Sequence, residues 1–291
     1  MPSLDDLKKR IKSVKSTQKI TKAMKMVAAA KLRRAQESAE KGSPFSEKMN
    51  NMILNLSNAI SDKDNASKFL VGTGKDQVHL WLVITADRGL CGGFNTNIIK
   101  KAKVYFQKIS SEGKILKIVT VGSKGYDQLK RVYKDNIIKK ISFKDSKTIN
   151  YLDAEKVGKI IIDNFEKKEF DVCTIFYNQF KNVITQIPQE QQIIPLKVSE
   201  ADANFSEDNY EFEPEEDEIL SNLLPKNIST QIFKAMLENS ASEQGSRMSA
   251  MDNATRNAGE MVDKLTIEYN RSRQAAITKE LIEIISGAES L

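Results

Sequence analysis

The stretch MSAMDNATRNAGEMVDKLTIEYN, residues Met248–Asn270, decides the fold. Arranged in heptads, it has two seam positions, one held by Met248, Thr255, Val262 and Tyr269 and the other by Met251, Ala258 and Leu265. This three-four spacing of apolar and small residues predicts a helix that packs against a partner helix. Strong helix formers continue on both sides, so we expect one long amphipathic helix over roughly residues 215–285.

The partner helix is expected in the opening segment, from Ser3 to about Ile60. Leu4, Leu7, Ile11 and Val14 have the same spacing there, and Ser3 is a suitable N-cap. Gly42-Ser43-Pro44 should bend or interrupt this helix. We predict an antiparallel coiled coil in which Leu4 to Val14 packs on Met248 to Leu265, so that the two ends of the chain form a rod.

The middle of the chain alternates between apolar strand-like runs and amphipathic helices, which predicts a small parallel α/β, Rossmann-like sheet. A loop from Ser61 to Asp76 precedes it, and an extended hairpin of Ile184–Leu196 with Tyr210–Phe212 follows it. The expected domains are 1–60, 76–213 and 214–291. The predicted strands are Val78–Thr85, Ile115–Val121, Ile137–Ile141 as an edge strand, and Val172–Tyr177.

Charge is distributed unevenly around a net charge of +6. Residues 1–35 hold eleven Lys or Arg against two Asp, a net charge of +9, whereas residues 199–218 hold ten carboxylates and no Lys or Arg. A basic helix face can bind nucleic acid, but it is more often the solvated flank of a coiled coil. Between Met1 and Ser43 there is no Phe, Tyr or Trp on which bases could stack, which disfavours nucleic-acid binding.

Residues for bond chemistry are missing from the sequence. The GTGK tetrapeptide at Gly72–Lys75 fails the phosphate-loop pattern at both ends and is interpreted as a turn. His79, the sole histidine, lies in an apolar strand, and Cys91 and Cys173 lack metal-ligand spacing. We therefore expect no catalytic residue, no metal site and no cofactor. The glycine-rich turn DRGLCGGFN at Asp87–Asn95 would be an exposed protein-binding element.

Two other classes of protein stay open on these residues. A basic coiled-coil nucleic-acid binder or scaffold would explain the N-terminal charge but not an apolar C-terminal end. A small-molecule enzyme with helical arms would need a site in the central α/β segment. No apolar run approaches the roughly 20 residues of a membrane span, so direct lipid insertion is not expected.

Four stretches carry a resemblance to one family. ITKAMKMVAAAKLRRAQ at residues 20–36, the turn at 87–95, the long run at 238–276 and ITKELIEIISGAES at 277–290 resemble the gamma subunit of rotary ATP synthases. The bacterial and mitochondrial branches are the most similar. The resemblance implies a non-catalytic central rotor shaft that couples rotation of the membrane ring to the nucleotide sites of the alpha and beta subunits. It also implies an α/β domain beside the foot of the shaft.

The resemblance further implies site residues and partners. Contacts from rotor to ring are expected at Met24, Lys25, Arg247, Arg273 and Gln274. A C-terminal bearing is expected at Ile277, Leu281, Ile284 and Ile285. Foot contacts with the ring of c subunits and an epsilon-type subunit are expected at Tyr210, Glu211, Phe212 and Glu213. The implied location is the cytoplasmic face of a bacterial inner membrane, or the matrix side in a mitochondrion.

Overall fold

A computed structural model describes residues 3–59, 67–146, 148–196 and 216–289. Two long helices enclose the rest of the chain: α1, Leu4–Ala59, and α6, Glu216–Glu289. The described residues group into two compact units. The terminal unit holds the residues up to Ala29 and those from Arg247 onward, and the central unit holds the residues between Ala30 and Ser246.

In the terminal unit, α1 begins at the predicted cap. The backbone N–H of Asp6 donates to the Ser3 hydroxyl at 3.1 Å, which satisfies one of the free amides of the first turn. Along α6 the predicted seam is confirmed. Met251, Ala258 and Leu265 are buried, and the other seam position is half-buried throughout, at Met248, Thr255, Val262 and Tyr269.

Contacts between the two helices confirm an antiparallel pair. Lys25 lies 2.6 Å from Asp252, the Thr255 hydroxyl donates to the Thr21 hydroxyl at 2.8 Å, and Gly259 faces the amide of Gln18. The predicted register is wrong, however. Gln18 to Lys25, and not Leu4 to Val14, lies against the middle of the Met248–Leu265 stretch. Small and polar residues of the seam, Thr21, Thr255 and Gly259, form the close contact between the two helices.

The central unit contains a five-stranded sheet in the order β3-β2-β1-β4-β5. The strands are β1 Val78–Ile84, β2 Ile115–Val121, β3 Ile137–Ile141, β4 Val172–Phe180 and β5 Gln186–Ile194. The first four strands in the chain run parallel, and β5 runs antiparallel to β4. The sheet is therefore mixed, not wholly parallel. Among the described residues, β5 forms its hairpin with β4. Tyr210–Phe212, the predicted second strand of the hairpin, lies outside the described residues.

Shorter helices connect these strands: α2 Lys68–Val71, α3 Phe94–Ser111, α4 Ser123–Leu129, a 3-10 turn at Lys134–Asn136, and α5 Tyr151–Glu166. The segment expected to be a loop from Ser61 to Asp76 thus contains one helical turn. Phe69 explains it, because its ring packs 4.9 Å from that of Phe165 and draws the segment onto the domain core.

Both long helices continue through a proline. Pro44 lies inside α1 and Pro225 lies inside α6, so the predicted interruption at Gly42-Ser43-Pro44 is wrong. A proline inside a helix costs about 3 kcal/mol. Packing offsets this cost where Ile53 of α1 is buried beyond Pro44 with Leu220 and Leu224 of α6.

Two apolar layers cover the sheet. On one face, α3 packs on an aromatic group in which Trp81 stacks on Phe176 with ring centroids 4.6 Å apart. On the other face, α5 and part of α6 share a core. The α6 members of that core are Ile228, Ile232, Ala235 and Met236. This stretch of α6 is therefore an integral layer of the α/β domain.

Candidate interaction sites

The crevice where Rossmann-like sheets bind ligands lies between β1 and β4 in this strand order. β4 pairs with β1 only as far as Phe176. The next residues of β4 therefore extend beyond the end of β1, and their backbone groups on that side need other partners.

Side chains of α6 supply those partners. The N–H of Asn178 donates to Asn239 at 3.2 Å, and the N–H of Phe180 donates to the Glu238 carboxylate at 2.9 Å. The Ser242 hydroxyl donates to the carbonyl of Asn178 at 2.9 Å. Asn239 and Ser242 are buried. The position of a ligand in other sheets of this order is thus filled by the chain's own helix.

The turn Asp87–Asn95 borders the same crevice. Its first carboxylate, Asp87, accepts hydrogen bonds from the Ser123 hydroxyl and N–H, the Ser142 hydroxyl and the N–H of Phe143, at 2.7–3.0 Å. Burial opposes ionisation of Asp87, but the bonds from Ser142 and Ser123 outweigh it, and the pKa of Asp87 is lowered. Asp87 fastens the turn to α4 and to the end of β3.

The far end of the turn is held equally firmly. Asn95 accepts from the N–H of Ala86 at 2.9 Å and directs its amide to the Cys91 sulfur at 3.3 Å. The Ser246 hydroxyl of α6 donates to the Cys91 carbonyl at 2.7 Å. Leu90, at a φ of 63° and 65% exposed, forms the tip. These contacts hold the turn at its far end and leave Leu90 at an exposed tip. The exposure was predicted, and binding of another protein by the turn stays a prediction.

Titratable groups elsewhere serve structural contacts. His79 is buried with its Nε2 atom 2.7 Å from a carboxylate oxygen of Asp76. Thr73, in the turn at Gly72–Lys75, donates to Asp171 at 2.6 Å. Burial raises the pKa of the Cys173 thiol, so it stays protonated. Over the described ranges, there is no cluster of three or more His, Cys, Asp or Glu side chains with the geometry to hold a metal ion.

Lys25 and Met24, predicted contacts to a surrounding ring, lie half-buried on α1. Lys25 forms the ion pair with Asp252, and its hydrogen bond lowers the pKa of that carboxyl. Arg247 is half-buried, whereas Arg273 and Gln274 are exposed on α6. These residues thus lie on the helix pair of α1 and α6. Within that pair, the ammonium group of Lys25 is already paired with the carboxylate of Asp252.

The predicted bearing residues are exposed. Ile277, Leu281, Ile284 and Ile285 show between 45% and 67% of their surface, and Ile282 shows 58%. We call residues 277–285 the apolar end segment. Their neighbour contacts include Lys279 with Glu283 at 3.6 Å along the same helix. The predicted foot residues, Tyr210, Glu211, Phe212 and Glu213, lie outside the described residues.

Sequence reasoning missed the polar contacts of α6 with the sheet. Glu238, Asn239, Ser242 and Ser246 form them. A signal was present in LENSASEQGS, residues 237–246, where several polar residues follow the apolar stretch of the long helix. Their partners on β4 and in the turn lie 58 to 155 residues away in the sequence, so the signal could not say what these residues bind.

Among the described helices, none is long and apolar enough to cross a lipid bilayer.

Comparison with known proteins defines the class. The family model described as ATP synthase matches residues 3–291. The ATP synthase gamma chain of Pelagibacter ubique (strain HTCC1062) is 88% identical over 291 residues and covers all of both chains. That of Rhizobium etli (strain CIAT 652) is 58% identical over 294 residues, again with all of both chains covered.

A solved structure extends the similarity to the fold. It is a chain of the Tetrahymena thermophila mitochondrial ATP synthase central stalk and c-ring, with 28% identity and a TM-score of 0.62, and the match covers 81% of this chain and 99% of that one. Long N- and C-terminal helices with a five-stranded mixed sheet between them in the sequence are thus the fold of a central-stalk chain. The chain belongs to the family of ATP synthase gamma chains and is therefore a subunit of an ATP synthase.

Proposed function

We propose that the chain is the central rotor shaft of a proton-translocating ATP synthase and performs no bond chemistry itself. It couples rotation of a membrane ring of c subunits to conformational change at the nucleotide sites of a ring of alpha and beta subunits. The observation that carries the proposal is the apolar end segment, which is exposed at the end of a helix whose preceding seam residues are covered.

The physics of this segment favours a socket supplied by other proteins. Five large apolar side chains within nine residues, all exposed, are unfavourable in water and need a partner surface. A collar of apolar groups would cover them without directional bonds, because the hydrophobic effect depends on buried area and not on angle. A helix can turn in such a collar, so the segment suits a bearing inside the alpha and beta ring.

Torque requires contacts that hold at some angles and release at others. Exposed Arg273 and Gln274, with Arg247, suit this role because arginine offers a planar fork to carboxylates on a catalytic subunit. Met24 and Lys25 are proposed to contribute from α1. Since Lys25 already pairs with Asp252, a ring carboxylate would have to compete with that aspartate.

At the other end of the shaft, we propose that Tyr210, Glu211, Phe212 and Glu213 meet the c-ring and an epsilon-type subunit. Charge complementarity between an acidic segment and polar ring loops supports this. The domains would be 1–60, 76–213 and 214–291, with the α6 stretch from Ile228 to Met236 packed into the core of the second. The subunit would be peripheral, held at the cytoplasmic face of a bacterial inner membrane by its protein partners.

The test is a shortened chain in the complete complex. Ending the chain after Ala276 removes the apolar end segment and leaves the covered seam residues intact. We expect a lower yield of assembled complex and a lower rate of ATP synthesis at the same imposed proton gradient. A chain that ends after Ser286 keeps the segment and is the matched control. Unchanged ATP synthesis by the shorter chain would contradict the proposal.

A further inference from the structure

The contact between α6 and the end of β4 is directional. Apolar packing through Ile228, Ile232 and Met236 resists separation of α6 from the sheet, but it opposes rotation of the helix about its own axis only weakly. The hydrogen bonds of Glu238, Asn239 and Ser242 differ, because each fixes one helix side chain to one backbone group of β4.

The three bonds act on one short piece of strand. Asn178 uses both its N–H and its carbonyl, toward Asn239 and Ser242, and the N–H of Phe180 binds Glu238. Rotation of α6 by one residue position, about 100°, would carry Glu238, Asn239 and Ser242 away from β4 together and break all three hydrogen bonds. The buried backbone N–H and carbonyl of Asn178 would then lack hydrogen-bond partners, which is unfavourable.

Two further contacts limit the same motion. Gly158 of α5 lies so close to α6 that an added Cβ atom would be 2.5 Å from the Ser229 hydroxyl. Near the other end of this contact, Ser246 binds the carbonyl of Cys91 at 2.7 Å. α6 is therefore held in a fixed angular position from Ser229 to Ser246.

We propose that Glu238, Asn239 and Ser242 form a key that stops α6 from turning against the α/β sheet, so that torque passes between the shaft helix and this domain. The inference rests on the proposed rotor function and adds to it the residues that fasten the helix to the domain. They are positioning residues, since each of them binds the backbone of β4.

Two variants test the key in the complete complex, in inverted membrane vesicles. Glu238→Ala removes the acceptor for Phe180, and Ser242→Ala removes the donor to Asn178. Glu238→Gln keeps a carbonyl acceptor and is the conservative control. Tyr105→Phe removes a bond of 2.7 Å from α3 to Glu190 on β5, which does not involve α6, and is the second control.

The readouts are ATP hydrolysis without a gradient, proton pumping against an imposed gradient, and hydrogen exchange at Asn178 and Phe180. We expect both Ala variants to hydrolyse ATP normally but to pump against the gradient roughly threefold less well, as loss of about one net hydrogen bond allows. ATP turnover should also accelerate exchange at the Phe180 amide in Glu238→Ala, an effect that a purely structural bond would not show. Ser242→Ala removes a bond to a carbonyl and is therefore judged by pumping alone. Both controls should behave as the unmodified chain.

Normal pumping against the gradient, with faster exchange showing that the bonds are lost, would overturn the key and leave the rotor function standing. Failure of the unmodified chain to couple hydrolysis to pumping would instead contradict the rotor function. If Ser242→Ala lowers the yield of complex, Glu238→Ala still decides, because Glu238 is only half-buried and its truncation leaves no large cavity.

Discussion

At the scale of single residues, Asp87 organises the glycine-rich turn. It accepts four hydrogen bonds from Ser123, Ser142 and Phe143. Their combined effect keeps its pKa below the usual value despite burial. Asp87 therefore contributes stability that is present above its unfolded-state pKa, near 3.9, and is lost as the pH falls through the lower pKa of the folded state.

We expect Asp87→Asn to destabilise the protein at pH 7 by about 1–3 kcal/mol, because an amide cannot accept all four bonds. The free energy of unfolding of the variant should also depend less on pH between roughly 2 and 5. Urea unfolding across that range measures both effects. Asp145→Asn, at an exposed position, is the control, and an equal effect there would contradict the assignment.

Gly122 offers a second residue-scale prediction. It has a φ of 96°, and an added Cβ atom would lie 2.3 Å from the Thr85 carbonyl oxygen. Gly122→Ala should cost roughly 3 kcal/mol or more, since backbone must move. Gly113 has a φ of 72°, but an added Cβ atom there would have no neighbour within 4 Å. Gly113→Ala should therefore cost only about 1 kcal/mol. Equal losses of thermal stability would show that strain, and not the close approach, dominates.

At the scale of elements, two glycines of α6 have matched surroundings and opposite expectations. An added Cβ atom at Gly259 would lie 3.0 Å from the Gln18 side-chain nitrogen, and one at Gly245 would lie 3.0 Å from the Phe180 ring. Gln18 has a flexible side chain that can swing away, whereas the Phe180 ring is stiff and the Cα atom of Val183 lies 3.6 Å from the same added atom.

Gly259→Ala should therefore stabilise the protein by up to about 1 kcal/mol through higher helix propensity, and Gly245→Ala should destabilise it by a similar amount. Thermal unfolding of the two variants gives the sign directly. Destabilisation by Gly259→Ala would mean that the Gln18 side chain cannot move away from the added methyl group.

The elements also show what the sequence could and could not predict. The heptad spacing predicted which side of α6 is buried, from Met251 to Leu265, because periodicity depends only on local geometry. The register of the coil was not predictable from apolar residues, since Gln18, Thr21 and Gly259 form the close contact. The pairing of β5 with β4 was missed because the acidic segment after Leu196 suggested a second hairpin strand.

The position of α6 in the crevice could not be predicted from the sequence either, because its contacts with β4 join residues far apart in the chain. A lone Asn or Ser inside a helix gives no indication of its distant partner. The predicted ring contacts at Arg247 and Arg273, in turn, rested on resemblance and stay predictions, as they concern surfaces of other subunits.

At the scale of the whole molecule, Arg247→Ala with Arg273→Ala should reduce coupling of ATP hydrolysis to proton pumping more than it reduces stability. Arg273 is exposed, so its removal should change the free energy of unfolding by about 0.5 kcal/mol or less. Pumping and hydrolysis by the assembled complex, with thermal unfolding of the free subunit, separate the effects. Exposed Arg271→Ala is the control, and lower stability with normal coupling would count against the ring contacts.

The pairing of Lys25 with Asp252 joins residues 227 positions apart. During synthesis α1 leaves the ribosome first and its partner last, and at about 5–20 residues per second the wait lasts on the order of 10–50 s. Its net charge of +9 over the first 35 residues keeps the waiting helix hydrated and repels identical nascent chains. We therefore expect the lysines of α1 to limit aggregation of the nascent gamma chain until α6 has been synthesised.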